Sequence, residues 1–437
     1  MNPPTDARRE ARLLSIRQFV GHTRDQLSFD FGFLLWDGST VPADLPSSEL
    51  MIAIADEGAV AALMRRPKLE TIVNLWVAAR IDIRNGSIFD LAARRPRVRT
   101  RNYLKSLDKR LALATAVKFA FVPRGGPWPL ESIRGDKARA DGSEDANRKN
   151  IQYHYDLSNV FYTLFLDPEM VYSCAYFTDW SNDLAKAQHD KLDVICRKLR
   201  LQPGDTFLDI GCGWGALVCH AARHYGVRAH GITLAQQQHA AAKDKIIRLG
   251  LQDQVTVELT DYAKLDGSYD KIASIGMFEH VGLRNHTTYF HTIHRLLKPR
   301  GLYLHHAIAR RATRDDKSFR KKPEHSALQR YIFPGGEVDH LAMSIANLER
   351  HRFEVHDVEN WREHYARTTR LWHDRLYSNR EAAEREVGSV KTRLWLAYLA
   401  GCSLGFERAA MAVFQTLASK RTRGPSGLPP TRADLYK

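Results

Sequence analysis

The chain has 437 residues, of which 44% are hydrophobic and 26% charged. That balance suits a globular protein of two or three domains and excludes a disordered or fibrous one. The formal net charge of +15 calls for an anionic partner, and nucleic acid, an anionic membrane leaflet and an acidic protein all qualify. No apolar run reaches the roughly 18–20 residues that span a bilayer. The opening MNPPTDARREARLL has no apolar signal core. The expected location is therefore the cytoplasm, with any membrane contact peripheral.

In the first 92 residues, FGFLLWDGSTVP (31–42) reads as a strand entering a turn at Asp37-Gly38, and LMIAIAD (50–56) as a second strand. EGAVAALMRR follows with helical spacing. The expectation is a small α+β domain over 1–122. Residues 94–110 are dense in Arg and Lys; they suit either a solvated helix and linker or a patch for phosphate head groups. Residues 123–150, polar and rich in Gly and Pro, read as a linker. From about 151 the texture changes. DTFLDIG, RAHGITL, VTVELTD, YDKIASIG and GLYLHHAI are short β-like runs separated by amphipathic stretches. That alternation predicts an open, doubly wound α/β sheet within a domain over 151–437. Residues 340–422 read as mostly helical.

The cysteines, Cys174, Cys196, Cys212, Cys219 and Cys402, form no CxxC pair. They fit a reduced compartment and supply no metal-ligand spacing. The segment Leu208-Asp209-Ile210-Gly211-Cys212-Gly213-Trp214-Gly215 follows one predicted strand and opens a helix. Its glycines allow a sharp turn and close approach to a ligand. The spacing is GxGxG with Asp209 just before it, unlike a dinucleotide fingerprint, and resembles motif I of class I methyltransferases. After the next strand, Gln238 is the polar candidate for the cofactor; after the third, Asp261 suits an adenine edge, with Tyr262 packing beside it.

Several segments together, in order over roughly 150–420, resemble the cyclopropane fatty acid synthase family: HYDLSNVFY (154–162), YSCAYF (172–177), LDIGCGWG (208–215), GITLAQQQ (231–238), GMFEHVG (276–282), YLHHAI (303–308), RYIFPGG (330–336) and HYARTTRLW (364–372). The resemblance implies a class I fold that holds S-adenosylmethionine over an acyl channel, with bound bicarbonate as base. It implies cofactor contacts at Tyr155, Ser158, Gly211, Gly213 and Gln238. It implies ion ligands at Cys174, Glu279, His306, Ile308 and Tyr331, with Cys174 and Ile308 contributing main-chain groups. Unsaturated phospholipids of an anionic membrane are the implied substrate, and a homodimer is compatible with the resemblance. The sequence departs from the family at Ala235, His305 and Ala307; the last removes a hydroxyl near the implied ion site.

The chemistry makes sense of these residues. An alkene is a poor nucleophile, so the donor must be activated beforehand, and a sulfonium is. Transfer leaves a carbocation that water would quench, so the pocket must be dry. Ring closure then needs a base beside the transferred carbon. Glu279 can accept a proton or hydrogen bond, His306 can donate one, and Tyr331 can present a hydroxyl or a ring face. Structural roles compete for several of them: Cys174 as a buried thiol, Tyr331 as a turn cap, and His280 as a hydrogen bonder. His305 alternates with His306 on a strand and should face away. A branched product, from loss of a different proton, is the alternative outcome. A nucleic-acid methyltransferase would suit the charge, but no NPPY or Pro-Cys motif lies in the fold region. A non-catalytic lipid carrier is disfavoured by the intact glycine turn, Glu279 and His306.

Overall fold

A computed structural model describes residues 3–94, 108–132, 157–312, 331–332 and 336–436. The chain divides into two compact units: Met1–Arg134 with Gly388–Ala400, and most of the remainder.

The N-terminal unit is α+β. Strands β1 (Gly32–Leu34), β2 (Thr40–Val41), β3 (Met51–Ile54) and β4 (Ile81–Arg84) form a mixed sheet in the order β2-β1-β3-β4. The turn at Asp37-Gly38 closes the antiparallel β1–β2 pair, with Gly38 at φ +84°. Asp56 caps the Glu57–Arg65 helix through the Ala59 N–H at 2.9 Å and also accepts from Arg80 Nε at 2.7 Å. Ile16, Leu35, Val60, Leu75 and Phe119 form the core of this unit.

The structure redraws the expected domain limits. Residues 123–132, read as linker, are part of the N-terminal unit: Leu130 is fully buried and its N–H bonds Asn74 Oδ1 at 3.1 Å. Residues 133–150 lie outside the described residues. Gly388–Ala400 also joins this unit, because Arg393 stacks 4.3 Å over the Trp76 ring and donates to the Trp76 carbonyl and Asp82. Long-range pairing of this kind leaves no local pattern in sequence.

The larger unit is the expected doubly wound α/β sheet. Strands β5 (Thr206–Ile210), β6 (Arg228–Thr233), β7 (Val255–Leu259), β8 (Tyr269–Ile275), β9 (Leu297–Arg310), β10 (Phe353–Asn360) and β11 (Met411–Lys420) run in the order β10-β11-β9-β8-β5-β6-β7. The five strands read from sequence are mutually parallel. The other two correct the expectation of a mostly helical C-terminal region: β11 inserts antiparallel between β9 and β10. The helices Leu184–Lys198, Ala216–Tyr225 and Gln236–Leu249 supply apolar residues to one face, and His286–Leu296 to the other. Both faces of β5 are therefore covered, which fits its apolar Phe207, Leu208 and Ile210. Gly226 and Gly250, at φ +66°, end two of these helices in left-handed caps.

Candidate active site

The glycine turn opens a cavity at the C-terminal ends of β5, β6 and β7, three neighbours in the sheet. It contains about 1090 Å³ of space, including solvent at its mouth. Asp209, Gly211, Gly213, Gln238 and Asp261 all line it. Gly211 sits at φ +85°, where a Cβ would come within 2.8 Å of Met277 Cγ. Gly213, at φ +53°, faces open space. Gln238 Oε1 accepts from Thr233 Oγ1 at 3.0 Å, and Asp261 Oδ1 caps the Tyr262–Lys264 turn through Ala263 N at 2.8 Å. The Ala216–Tyr225 helix aims its first turn at the same space, a setting that favours anionic groups.

Sequence reasoning missed three wall residues: Tyr172, Ser173 and Lys191. The Lys191 ammonium is 2% exposed and donates to Ser173 Oγ at 2.9 Å. Burial lowers its pKa to about 8, against the pull of Asp167, Cys174 and Asp209. Burial raises the Asp209 carboxyl to about 7, and its Oδ1 is an orphaned acceptor among the described residues. An open glycine turn, an orphaned carboxylate oxygen, a buried cation and two further polar side chains fit S-adenosylmethionine, which carries hydroxyls, an ammonium and a carboxylate.

Ser158 is placed elsewhere. Its hydroxyl caps the Asn159–Thr163 helix and bonds the Glu386 carboxylate, so it does not line the cavity. The next residue, Asn159, accepts from Trp214 Nε1 at 2.8 Å through its Oδ1, and Trp214 lines the cavity. Tyr155 lies outside the described residues, as do Arg95, Arg97, Arg99 and Arg101 of the basic segment.

A second centre forms where β8 ends beside β9. The Gly276 N–H donates to the His306 carbonyl at 2.9 Å. One step along β9, the Ile308 N–H donates to Glu279 Oε1 at 2.6 Å. The Glu279 side chain thus takes over the ladder position that β8 has vacated. A carboxylate engages the main-chain N–H of Ile308, a residue expected to contribute a main-chain group to an ion. Glu279 Oε2 is buried without a hydrogen-bond partner among the described residues. Burial, with Asp339 adding repulsion, pushes the carboxyl up to about 7.

His306 is held by a relay that no local motif reveals. Lys198 Nζ donates to Gln415 Oε1 at 2.8 Å, which turns the Gln415 amide nitrogen toward His306 Nδ1 at 3.1 Å. An acceptor Nδ1 puts the imidazole proton on Nε2. Burial and the nearby Lys191 and Lys198 depress the His306 pKa far below its usual value, so the ring is a neutral Nε2–H donor. The Trp361 ring lies 5.5 Å from it, edge to face.

Cys174 and Ile308 meet in one apolar cluster with Trp361, Val413, Tyr176 and Tyr365. The Cys174 thiol is fully buried and donates to the Ala175 carbonyl at 3.3 Å. Burial raises its pKa well above the usual thiol value, so it is no nucleophile. Tyr331 is buried at 5% exposure. His305 faces away from His306 as expected, bonding Tyr303 at 2.9 Å and lying 3.4 Å from Ser344. His280 lines the cofactor cavity, and burial lowers its pKa to about 4. Among the described residues, no group of His, Cys, Asp and Glu is arranged for a metal.

The cavity is lined by Met277 and His280, on either side of Glu279 in the chain, and by Ser173, next to Cys174. The sequence family described as Mycolic acid cyclopropane synthetase matches residues 142–416. The chain belongs to this family. A probable fatty acid methyltransferase of Pseudomonas putida is 34% identical over 406 residues, covering 92% of this chain and 95% of that one. The cyclopropane-fatty-acyl-phospholipid synthase of Escherichia coli K12 is 36% identical, over 61% of this chain and 66% of its own. The solved mycolic acid cyclopropane synthase CmaA1, complexed with SAH and CTAB, superposes with a TM-score of 0.60 at 34% identity, covering 62% of this chain and 98% of that one. This synthase-family chain is an S-adenosylmethionine-dependent methyltransferase with a class I fold.

Proposed function

We propose that the protein adds a methylene group from S-adenosylmethionine across the double bond of unsaturated phospholipid acyl chains at the cytoplasmic face of the membrane, closing a cyclopropane ring. The observation that carries this reading is that Glu279 holds the Ile308 amide two residues along β9 from His306, whose ring packs against Trp361 of the apolar cluster that contains Cys174 and Ile308.

When bound, the cofactor supplies an electrophilic methyl carbon. The chain's residues supply the rest. Asp209, Gln238 and Asp261 fix the donor's orientation, which contributes by proximity. Trp361, Tyr176, Ile308 and Val413 exclude water, and the Trp361 and Tyr176 rings offer faces to a developing cation. The Nε2–H of His306 and the unfilled oxygen of Glu279 would hold a small anion such as bicarbonate, which would supply the base for ring closure. Glu279, poised near 7, accepts a proton in that site from its ionised form and becomes neutral as it does so.

A second reading, methyl or methylene branching, is favoured by the probable fatty acid methyltransferase that matches nearly the full chain. Engagement of the Ile308 amide by Glu279 also leaves one fewer donor for an ion. Mass spectrometry of lipids from cells expressing the protein tests both. A gain of one CH2 per double bond, with NMR signals of ring protons, supports cyclopropanation. Exomethylene signals, or methyl signals on a chain that keeps a double bond, at the same mass gain replace it with branching. No gain in any lipid overturns both.

A further inference from the structure

In the N-terminal unit, the helix Lys109–Phe119 buries Thr115 and Phe119 and turns its other side to solvent. Leu113, Val117 and Phe121 follow one another at intervals of four and form one outward row, 67%, 62% and 97% exposed. Lys109, Arg110 and Lys118, also exposed, flank that row. A nearly naked phenylalanine in line with two exposed aliphatics is costly in water.

The display is also built. Arg65 Nη2 donates to the carbonyls of Phe119 at 3.2 Å and Ala120 at 2.9 Å, and to that of Val122. Arg80 Nη2 holds the Arg124 carbonyl at 2.8 Å. The turn that carries Phe121 is therefore held on its backbone carbonyls by two arginines of the same unit.

We propose that this face docks the protein on an anionic phospholipid bilayer: Leu113, Val117 and Phe121 enter the acyl boundary while Lys109, Arg110 and Lys118 meet the lipid phosphates. The inference rests on the reading that the substrate is a bilayer lipid. Charge complementarity selects the occupant. Cations beside an apolar row match anionic head groups above hydrocarbon, whereas a second copy of the same face would set like charges together.

The full chain is tested by co-sedimentation with phosphatidylglycerol/phosphatidylcholine vesicles and with phosphatidylcholine alone. Wild type is expected to prefer the anionic vesicles at low salt. The L113S/V117S/F121S variant is expected to partition at least tenfold less at any salt. Each cation near such a surface is worth about fivefold, so K109Q/R110Q/K118Q is expected to lose roughly a hundredfold at low salt and little at high salt. Thermal melts verify folding, which substitutions at exposed positions should leave intact. Methyl transfer to detergent-dispersed lipid should be unchanged in both variants. Partitioning of the serine variant within twofold of wild type overturns the proposal. So does a change in sedimentation from dimer to monomer with vesicle binding intact, because the face then belongs to a second copy. Wild type that pellets through this face yet methylates no lipid in detergent would overturn the substrate reading and leave the docking face standing.

Discussion

Glu279 makes opposite demands on stability and activity. Its folded-state pKa of about 7 lies above the ordinary carboxyl value of 4.5. The folded protein therefore holds this proton more tightly than the unfolded chain. The resulting stability is present at low pH and is lost as pH rises from the ordinary carboxyl range through about 7. Proton acceptance needs the ionised form, so kcat/KM should rise through the same interval. Glu279→Gln should abolish that limb, lower turnover by about 10²–10⁴ and leave SAH affinity unchanged in calorimetry. Relative to wild type, the variant should gain stability between pH 5 and pH 8, by up to about 3 kcal/mol in denaturant titrations. Equal loss of SAH affinity would make the residue structural. Gln415→Leu removes the donor that fixes the His306 tautomer. We expect kcat/KM to fall by about 10–100-fold, the scale on which orienting partners of histidine act, with SAH affinity retained. Glu279 and His306 were legible because each stands in a recognisable short segment. Gln415 and Lys198 were not: they meet across 217 positions, and only folding makes them neighbours.

At the level of elements, the glycine turn after β5 allows the firmest prediction. Gly211→Ala forces a left-handed residue to carry a Cβ, at about 1–2 kcal/mol, and drives it to within 2.8 Å of Met277 Cγ. Both a lower Tm and at least tenfold weaker SAH binding should follow, read by thermal shift with and without SAH. Unaltered binding would separate the turn from the cofactor. Strands β5, β6, β8 and β9 were readable as short, largely apolar runs between helical stretches, because they lie inside the sheet, while the edge strand β7 was readable from its alternation of buried and exposed residues. Strands β10 and β11 were not. FEVHDVEN carries charges on its open side, and MAVFQTLASK buries Gln415, Thr416 and Ser419 in the sheet. Gln415 and Ser419 find their partners on other elements far along the chain, as in the Gln415–His306 and Ser419–His356 contacts. Ser158 shows a role its motif did not suggest: its place just before a helix specified a cap.

Over the whole molecule, the N-terminal unit is closed by a segment from far along the chain. Arg393 lies on Trp76 and bonds its carbonyl at 2.7 Å. Arg393→Ala should destabilise this unit by about 1–3 kcal/mol through the stranded carbonyl and the lost stacking. Hydrogen exchange should increase at residues 69–84 while β5 to β8 stay protected; uniform protection would mean the clamp is redundant. Such a join is invisible to composition, which is why a boundary drawn from Gly and Pro content fell in the wrong place.

β11 completes the sheet by pairing with β9 along its whole length, from Met411 opposite Arg310 to Ser419 opposite Leu302. During synthesis β9 leaves the ribosome about a hundred residues before its partner. At about 5–20 residues per second, its outer edge stays bare for roughly 5–20 s. A bare, apolar edge is a template for pairing with other nascent chains. Expression yield should therefore depend on chaperone supply during that interval, and a chain halted before Met411 should aggregate rather than fold into a smaller enzyme.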